Sequence, residues 1–186
     1  MANYMMTLAY DGTEYKGFQV QPGLPTVQGA LEEALGRVAR LSSPLYAAGR
    51  TDAGVHAKGQ VVSFHASLRV EAARLTRALN ALLPDDIAVI SCREVDEGFH
   101  ARRDAAARAY SYYFHTGDSP CPFRRRYTLH VDGQLDEKGM EEALRAALGV
   151  HDFTSFCRRE EGRSATREVY EVEVSRRGDL LRVRVK

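Results

Sequence analysis

One stretch of this 186-residue chain holds residue types that suggest covalent or acid–base chemistry: Ala48-Gly49-Arg50-Thr51-Asp52-Ala53-Gly54-Val55-His56-Ala57. An acid stands two residues after an arginine, set among Gly49, Ala53 and Gly54. Small residues let backbone or substrate approach closely and supply turn geometry. In a locally extended loop, residues i and i+2 point the same way, so Arg50 and Asp52 can share one site. A neighbouring guanidinium favours the ionised form of a carboxylate, which is the form a nucleophile or base needs. The same residues also suit an Asx-turn closed by a structural Arg–Asp pair, and spacing by itself favours that plainer reading.

Other candidates are weaker. His56 and His100 invite an acid–base role, but a histidine in a turn more often makes a backbone hydrogen bond, and both are read as structural. His56, His65 and the three cysteines do not have metal-ligand spacing, so no metal is expected. Lys58-Gly59-Gln60-Val61-Val62-Ser63-Phe64 faintly resembles an RNA-binding strand pattern without its first aromatics. Tyr110 lies in an alternating aromatic run that a core strand would also explain.

Net charge is only +1, yet 22 of the 26 basic residues are arginine, and many are bunched. Arg102, Arg103 and Arg108 form one group, residues 124–126 a second, and Arg158, Arg159 and Arg163 a third. Arginine suits bidentate phosphate contact; solvated surface and the codon bias of a GC-rich genome are the bland alternatives. At 44% hydrophobic and 27% charged, the composition is that of a globular chain rather than a disordered or coiled-coil one. No run of about 18 apolar residues predicts a membrane-spanning helix, and the N-terminus lacks the form of a signal peptide. Three widely spaced cysteines argue against a disulfide framework and for a reducing cytoplasm.

The elements that must position Asp52 can be read from periodicity. Tyr4, Met6, Leu8 and Tyr10 alternate as a first strand, ended by Asp11-Gly12. Thr26 is a plausible cap for a helix over 27–41, with Val27, Leu31, Leu35 and Val38 as its apolar stripe. Residues 59–65 are β-rich, Leu75, Leu79 and Leu82 mark a second helix stopped by Pro84, and 87–90 is a short strand. Residues 110–115 form a strand with aromatics on both faces. A helix capped by Asp136 runs to Gly149 as its C′ residue. Strands at 169–175 and 180–186 are joined at Arg177-Gly178-Asp179. Strands outnumber helices without strict βαβ alternation. That favours α+β, with helices covering one face of mostly antiparallel sheet, in two related halves over 1–100 and 101–186.

Further blocks accompany the 49–57 stretch and its continuation Gly59-Gln60-Val61-Val62. They are Tyr10-Asp11-Gly12-Thr13 with Gly17-Phe18-Gln19, and Thr26-Val27-Gln28-Gly29. Residues 80–83 with Pro84-Asp85-Asp86-Ile87, then Phe99-His100-Ala101-Arg102, and Asp152-Phe153-Thr154-Ser155-Phe156 complete the set. In this order they closely resemble the tRNA pseudouridine synthase A family over nearly the whole chain. The resemblance implies a pseudouridine synthase fold of two RRM-like or ferredoxin-like halves, with Asp52 as catalytic nucleophile. It implies that Tyr110 lies against the target base and that Arg50 helps to hold the flipped nucleotide. It makes Arg102, Arg103, Arg158 and Arg159 possible phosphate contacts. The implied reaction is isomerisation of uridine to pseudouridine at tRNA positions 38 to 40, in the anticodon stem-loop. No metal or organic cofactor is implied, and a cytoplasmic homodimer is. Family members run on for several tens of residues past the strand that ends here at Lys186. Their continuation carries a basic partner for the aspartate and a helix over part of the core. The chain is therefore expected to be a C-terminally shortened member. None of Arg182, Arg184 and Lys186 matches that basic partner by motif. A non-catalytic tRNA-binding fragment is the alternative reading, and a base-releasing N-glycosidase a third.

Overall fold

The alternation of Tyr4, Met6, Leu8 and Tyr10 becomes the central strand β1 (Ala2–Tyr10), with those four side chains buried on one face. In a computed structural model, which describes residues 1–157 and 164–186, β1 belongs to the first of two units, Met1–Ala106 and Ala107–Lys186. Helix α1 (Val27–Val38) follows, its N-cap hydroxyl on Thr26 accepting from the Gly29 N–H, and its Val27, Leu31, Leu35 and Val38 stripe is buried. The predicted helix to residue 41 stops earlier. Ala39 turns to extended backbone, and β2 (Ala39–Leu41) pairs with the far end of β4 (Ala57–Leu68). Strand β3 (Tyr46–Ala47) also pairs with β4, beside Ser63 and Val62.

A 3-10 turn (Ala72–Arg74) leads into α2 (Leu75–Asn80), shorter than the leucine spacing predicts. Asn80 accounts for the early stop. As the last residue of the helix, it donates its side-chain amide to the Val89 carbonyl (2.9 Å) and accepts the Val89 N–H on its side-chain oxygen (2.7 Å), so its side chain serves as a strand partner. Strand β5 (Ile87–Val95) runs five residues further than its apolar start predicts, because it pairs with β1 along its length. The sheet order β2-β4-β1-β5, all antiparallel, is that of a ferredoxin-like βαββαβ unit. Val62, Phe64, Ile87 and Val89 join the β1 face and the helix stripe in one core.

The second unit opens with β6 (Tyr110–His115), then β7 (Leu129–His130), which pairs with Phe114 and His115 alone. Helix α3 (Glu137–Arg145) is capped by Asp136, as predicted, but ends before Leu148. Gly149, at φ +91, instead opens β8 (Gly149–Asp152). The single strand predicted over 169–175 is two. β9 (Thr166–Val169) pairs with β8, and β10 (Val172–Arg177) pairs with β11 (Leu180–Val185). Between them Tyr170 and Glu171 take up the Lys186 backbone instead. The order β10-β11-β6 repeats that of β2-β4-β1, so the α+β class with mostly antiparallel sheet holds in both units.

A charged cluster closes the β10–β11 turn. Asp179 accepts from Arg124 (2.8 Å) and meets the buried His115 Nε2 (2.7 Å). Arg124 first, and His115 second, hold the Asp179 carboxyl below its ordinary range. A depressed folded-state pKa contributes stability above the unfolded value, near pH 4, and that contribution is lost as pH falls through the folded value. Asp179→Asn is therefore expected to lower the urea midpoint at pH 7, by a deficit that shrinks as pH falls below about 4. A deficit that does not change with pH would show that the charge of Asp179 contributes nothing.

Candidate active site

The residues around Asp52 leave the sheet at one point and return at another, and both points are fastened. The Ala48 N–H donates to the Val61 carbonyl (2.8 Å), and the Gln60 side-chain amide donates to the Gly49 carbonyl. The chain rejoins at Ala57, opposite Tyr10. Between the Leu8–Gln60 and Tyr10–Ala57 pairs, β4 carries the one extra residue of a bulge, with Lys58 and Gly59 set against Ala9 alone. Bulges re-aim the chain beside functional loops.

The loop itself lies on residues 11–18, nearly backbone to backbone. Phe18 N–H donates to the Thr51 carbonyl (3.0 Å), and Gly54 N–H donates to the Tyr15 carbonyl (3.3 Å). Val55 N–H closes a turn on the Asp52 carbonyl (3.2 Å), with Gly54 at φ +77. A Cβ on Gly12 would stand 2.1 Å from the Val55 carbonyl oxygen, and one on Gly17 (φ +98) 2.9 Å from that of Thr51. His56 Nδ1 lies 3.1 Å from the Gly12 nitrogen and 3.0 Å from Asp11 Oδ1, so it ties the loop's far end to the same turn. Residues 11–18 are in turn anchored below. Phe18 and Tyr15 are buried, and the Tyr15 hydroxyl donates to Asp86 Oδ1 (2.6 Å). Burial, then the Asp86 bond, push that hydroxyl's pKa well above its usual value, which keeps it a donor.

Seated this way, Asp52 and Arg50 are both exposed and line one open depression of about 280 Å³ with Lys16, Gln19 and Gln21. Among the described residues, neither the Asp52 carboxylate nor the Arg50 guanidinium has a hydrogen-bond or ion-pair partner. The structural Arg–Asp pair that spacing favoured is not formed. A carboxylate left free in a depression that two cations also line can meet an electrophilic carbon of a substrate whose phosphates those cations attract.

The other predicted residues belong to other elements. Tyr110 opens β6 in the second unit, its ring 49% exposed, opposite Val185. Arg102 and Arg103 are exposed on a turn whose N–H groups point at His100 Nδ1 (3.2 and 3.4 Å). The His100 ring packs against Tyr46, with centroids 4.4 Å apart and planes tilted by 34°, so it shapes the turn that presents both arginines. Arg158 and Arg159 fall outside the described residues. Sequence reasoning missed Lys16, which carries no local signal. It also missed a hydroxyl pair between Tyr10 and Thr51 at 2.8 Å, although both residues stand in motif blocks.

The family model described as tRNA pseudouridine synthase matches residues 6–104. The chain is 45% identical over 183 residues to tRNA pseudouridine synthase A of Bacillus pumilus, covering 97% of this chain and 74% of that protein. It is 43% identical to the same-named protein of Bacillus subtilis, over 96% and 74% of the two chains. With that of Borrelia turicatae it shares 37% identity, over 91% and 70%. The chain belongs to the tRNA pseudouridine synthase family. This is a family of isomerases, and the matched region contains the whole Asp52 loop together with the turn on which it rests.

The two glycines of that turn make the seating testable. Gly12→Ala forces a Cβ into the Val55 carbonyl, and is expected to destabilise the chain by about 1–3 kcal/mol in urea denaturation. Gly36→Ala, on the exposed side of α1 with nothing within 4 Å, is expected to be neutral or stabilising by up to about 1 kcal/mol. Equal effects at the two positions would mean that the loop does not depend on this close approach.

Proposed function

We propose that this chain isomerises uridine to pseudouridine at positions 38 to 40 of the tRNA anticodon stem-loop, with Asp52 as the nucleophile. The observation that carries the reading is the exposed Asp52 carboxylate, without a protein partner among the described residues, in a depression it shares with Arg50 and Lys16. In the reaction the bond from C1′ to N1 breaks, the uracil rotates, and C5 bonds to C1′. N1 gains a proton and C5 loses one, so nothing is consumed. A carboxylate acting at the ribose serves this chemistry without an external reagent.

The remaining parts follow from the same reading. The target must leave its stack, at a cost of a few kcal/mol. Tyr110 offers a half-exposed ring for the base, where stacking returns about 1–3 kcal/mol. Arg50 holds the flipped nucleotide, and Arg102 and Arg103 contact phosphates. The half over 1–100 carries the nucleophile and the half over 101–186 the tyrosine. The working form is a cytoplasmic homodimer.

Release of tritium from tRNA labelled at C5 of uridine tests the assignment directly. Asp52→Asn is expected to lower the rate by more than about 1000-fold while tRNA binding stays within a few-fold. Release that persists in that variant would remove the nucleophile from Asp52. Salt-dependent tRNA binding by the parent chain, with no release at enzyme excess, would instead make it a binding fragment.

A further inference from the structure

We propose that Tyr10 is a positioning residue for the Asp52 carboxylate, acting through its hydroxyl contact with Thr51. The inference rests on Asp52 being the reacting carboxylate. Tyr10 is the last residue of β1, 4% exposed, on the face that also buries Tyr4, Met6 and Leu8. Its ring lies 6.3 Å from that of Phe18, itself buried. Its hydroxyl lies 2.8 Å from Thr51 Oγ1. A tyrosine held at the end of a central strand is a stiff anchor, because it has only two side-chain torsions and packing holds both.

Thr51 is the residue immediately before Asp52. Its side chain is held by Tyr10 and its carbonyl by the Phe18 N–H (3.0 Å). On the other side, the Asp52 carbonyl is held by the Val55 N–H (3.2 Å). The Asp52 side chain has no partner of its own among the described residues, so the backbone on either side decides where the carboxylate stands. The contact between Tyr10 and Thr51 ties the residue next to Asp52 to the core sheet through side chains. A shift of about 1 Å at a reacting group can lower a rate about 100-fold, so a hydroxyl remote from substrate can still govern turnover.

Tyr10→Phe removes that hydroxyl alone and keeps the ring. It is expected to lower kcat for tRNA about 10- to 100-fold with KM within about twofold. Thr51→Val should do the same, the double variant should be no worse than either single one, and Thr51→Ser should restore most of the turnover lost in Thr51→Val. Amide exchange, read in every variant whether or not it turns over, should speed up about tenfold at residues 51–54 in Tyr10→Phe and stay unchanged at residues 4–8. Unchanged exchange at residues 51–54 in Tyr10→Phe overturns the proposal by itself. So does wild-type kcat in Tyr10→Phe beside an inactive Asp52→Asn, which leaves the reading of Asp52 standing. Turnover that survives Asp52→Asn removes that reading, and this inference with it.

Discussion

The close approach of two backbones, residues 49–57 against residues 11–18, is the constraint on which the rest of the site depends. Hydrogen bonds from Phe18 to Thr51 and from Gly54 to Tyr15 need the two segments nearly in contact, and only Gly12 and Gly17 leave room for that. The glycines therefore act by what they lack. A side chain at either would push the loop off its seat before any functional group had been changed.

This seating explains why the Asp52 carboxylate can be exposed and yet placed. The loop's polar backbone is met by its neighbour, as buried or half-buried N–H and C=O groups require. That leaves the Asp52 and Arg50 side chains free of structural duty among the described residues. The support runs on downward through Tyr15 to Asp86, and from the Asp86 carbonyl to the Asp11 N–H at 2.9 Å. Asp86 begins the approach to β5, a strand that pairs with β1, so the Asp52 loop is referred to the central sheet from two directions.

The two units are held in different ways. The first has one continuous apolar core built from the β1 face, β4, β5 and both helices. In the second, among the described residues, only His115, Leu181 and Val183 are buried, and α3 buries none of its own side chains. Ion pairs line its strands instead, between Arg182 and Glu173, Arg184 and Glu171, and Arg176 and Glu137. Pairs of this exposed kind contribute little each. The unit presents Tyr112 and Phe123 largely exposed, which its alternating pattern did not reveal.

Much of this was legible from the chain. Period-two alternation located β1, β6 and β11, and an i, i+4 stripe with a Thr26 cap located α1. The element ends were not, because they are settled by pairing. Ala39 leaves its helix for β4, the side chain of Asn80 at the end of α2 bonds Val89, and Tyr170 breaks a strand to reach Lys186.

The same division holds at the site. The sequence by itself determined the family, the carboxylate of Asp52 two residues after an arginine, and the small residues that a tight loop needs, since these are properties of residue type and order. Only the tertiary structure decided that Arg50 and Asp52 stay unpaired among the described residues and share a depression with Lys16, and that Tyr10 reaches Thr51. The physical reason is distance along the chain. These residues stand between 34 (Lys16 to Arg50) and 41 (Tyr10 to Thr51) positions apart, and no local pattern encodes which side chains meet when a loop folds back onto a strand.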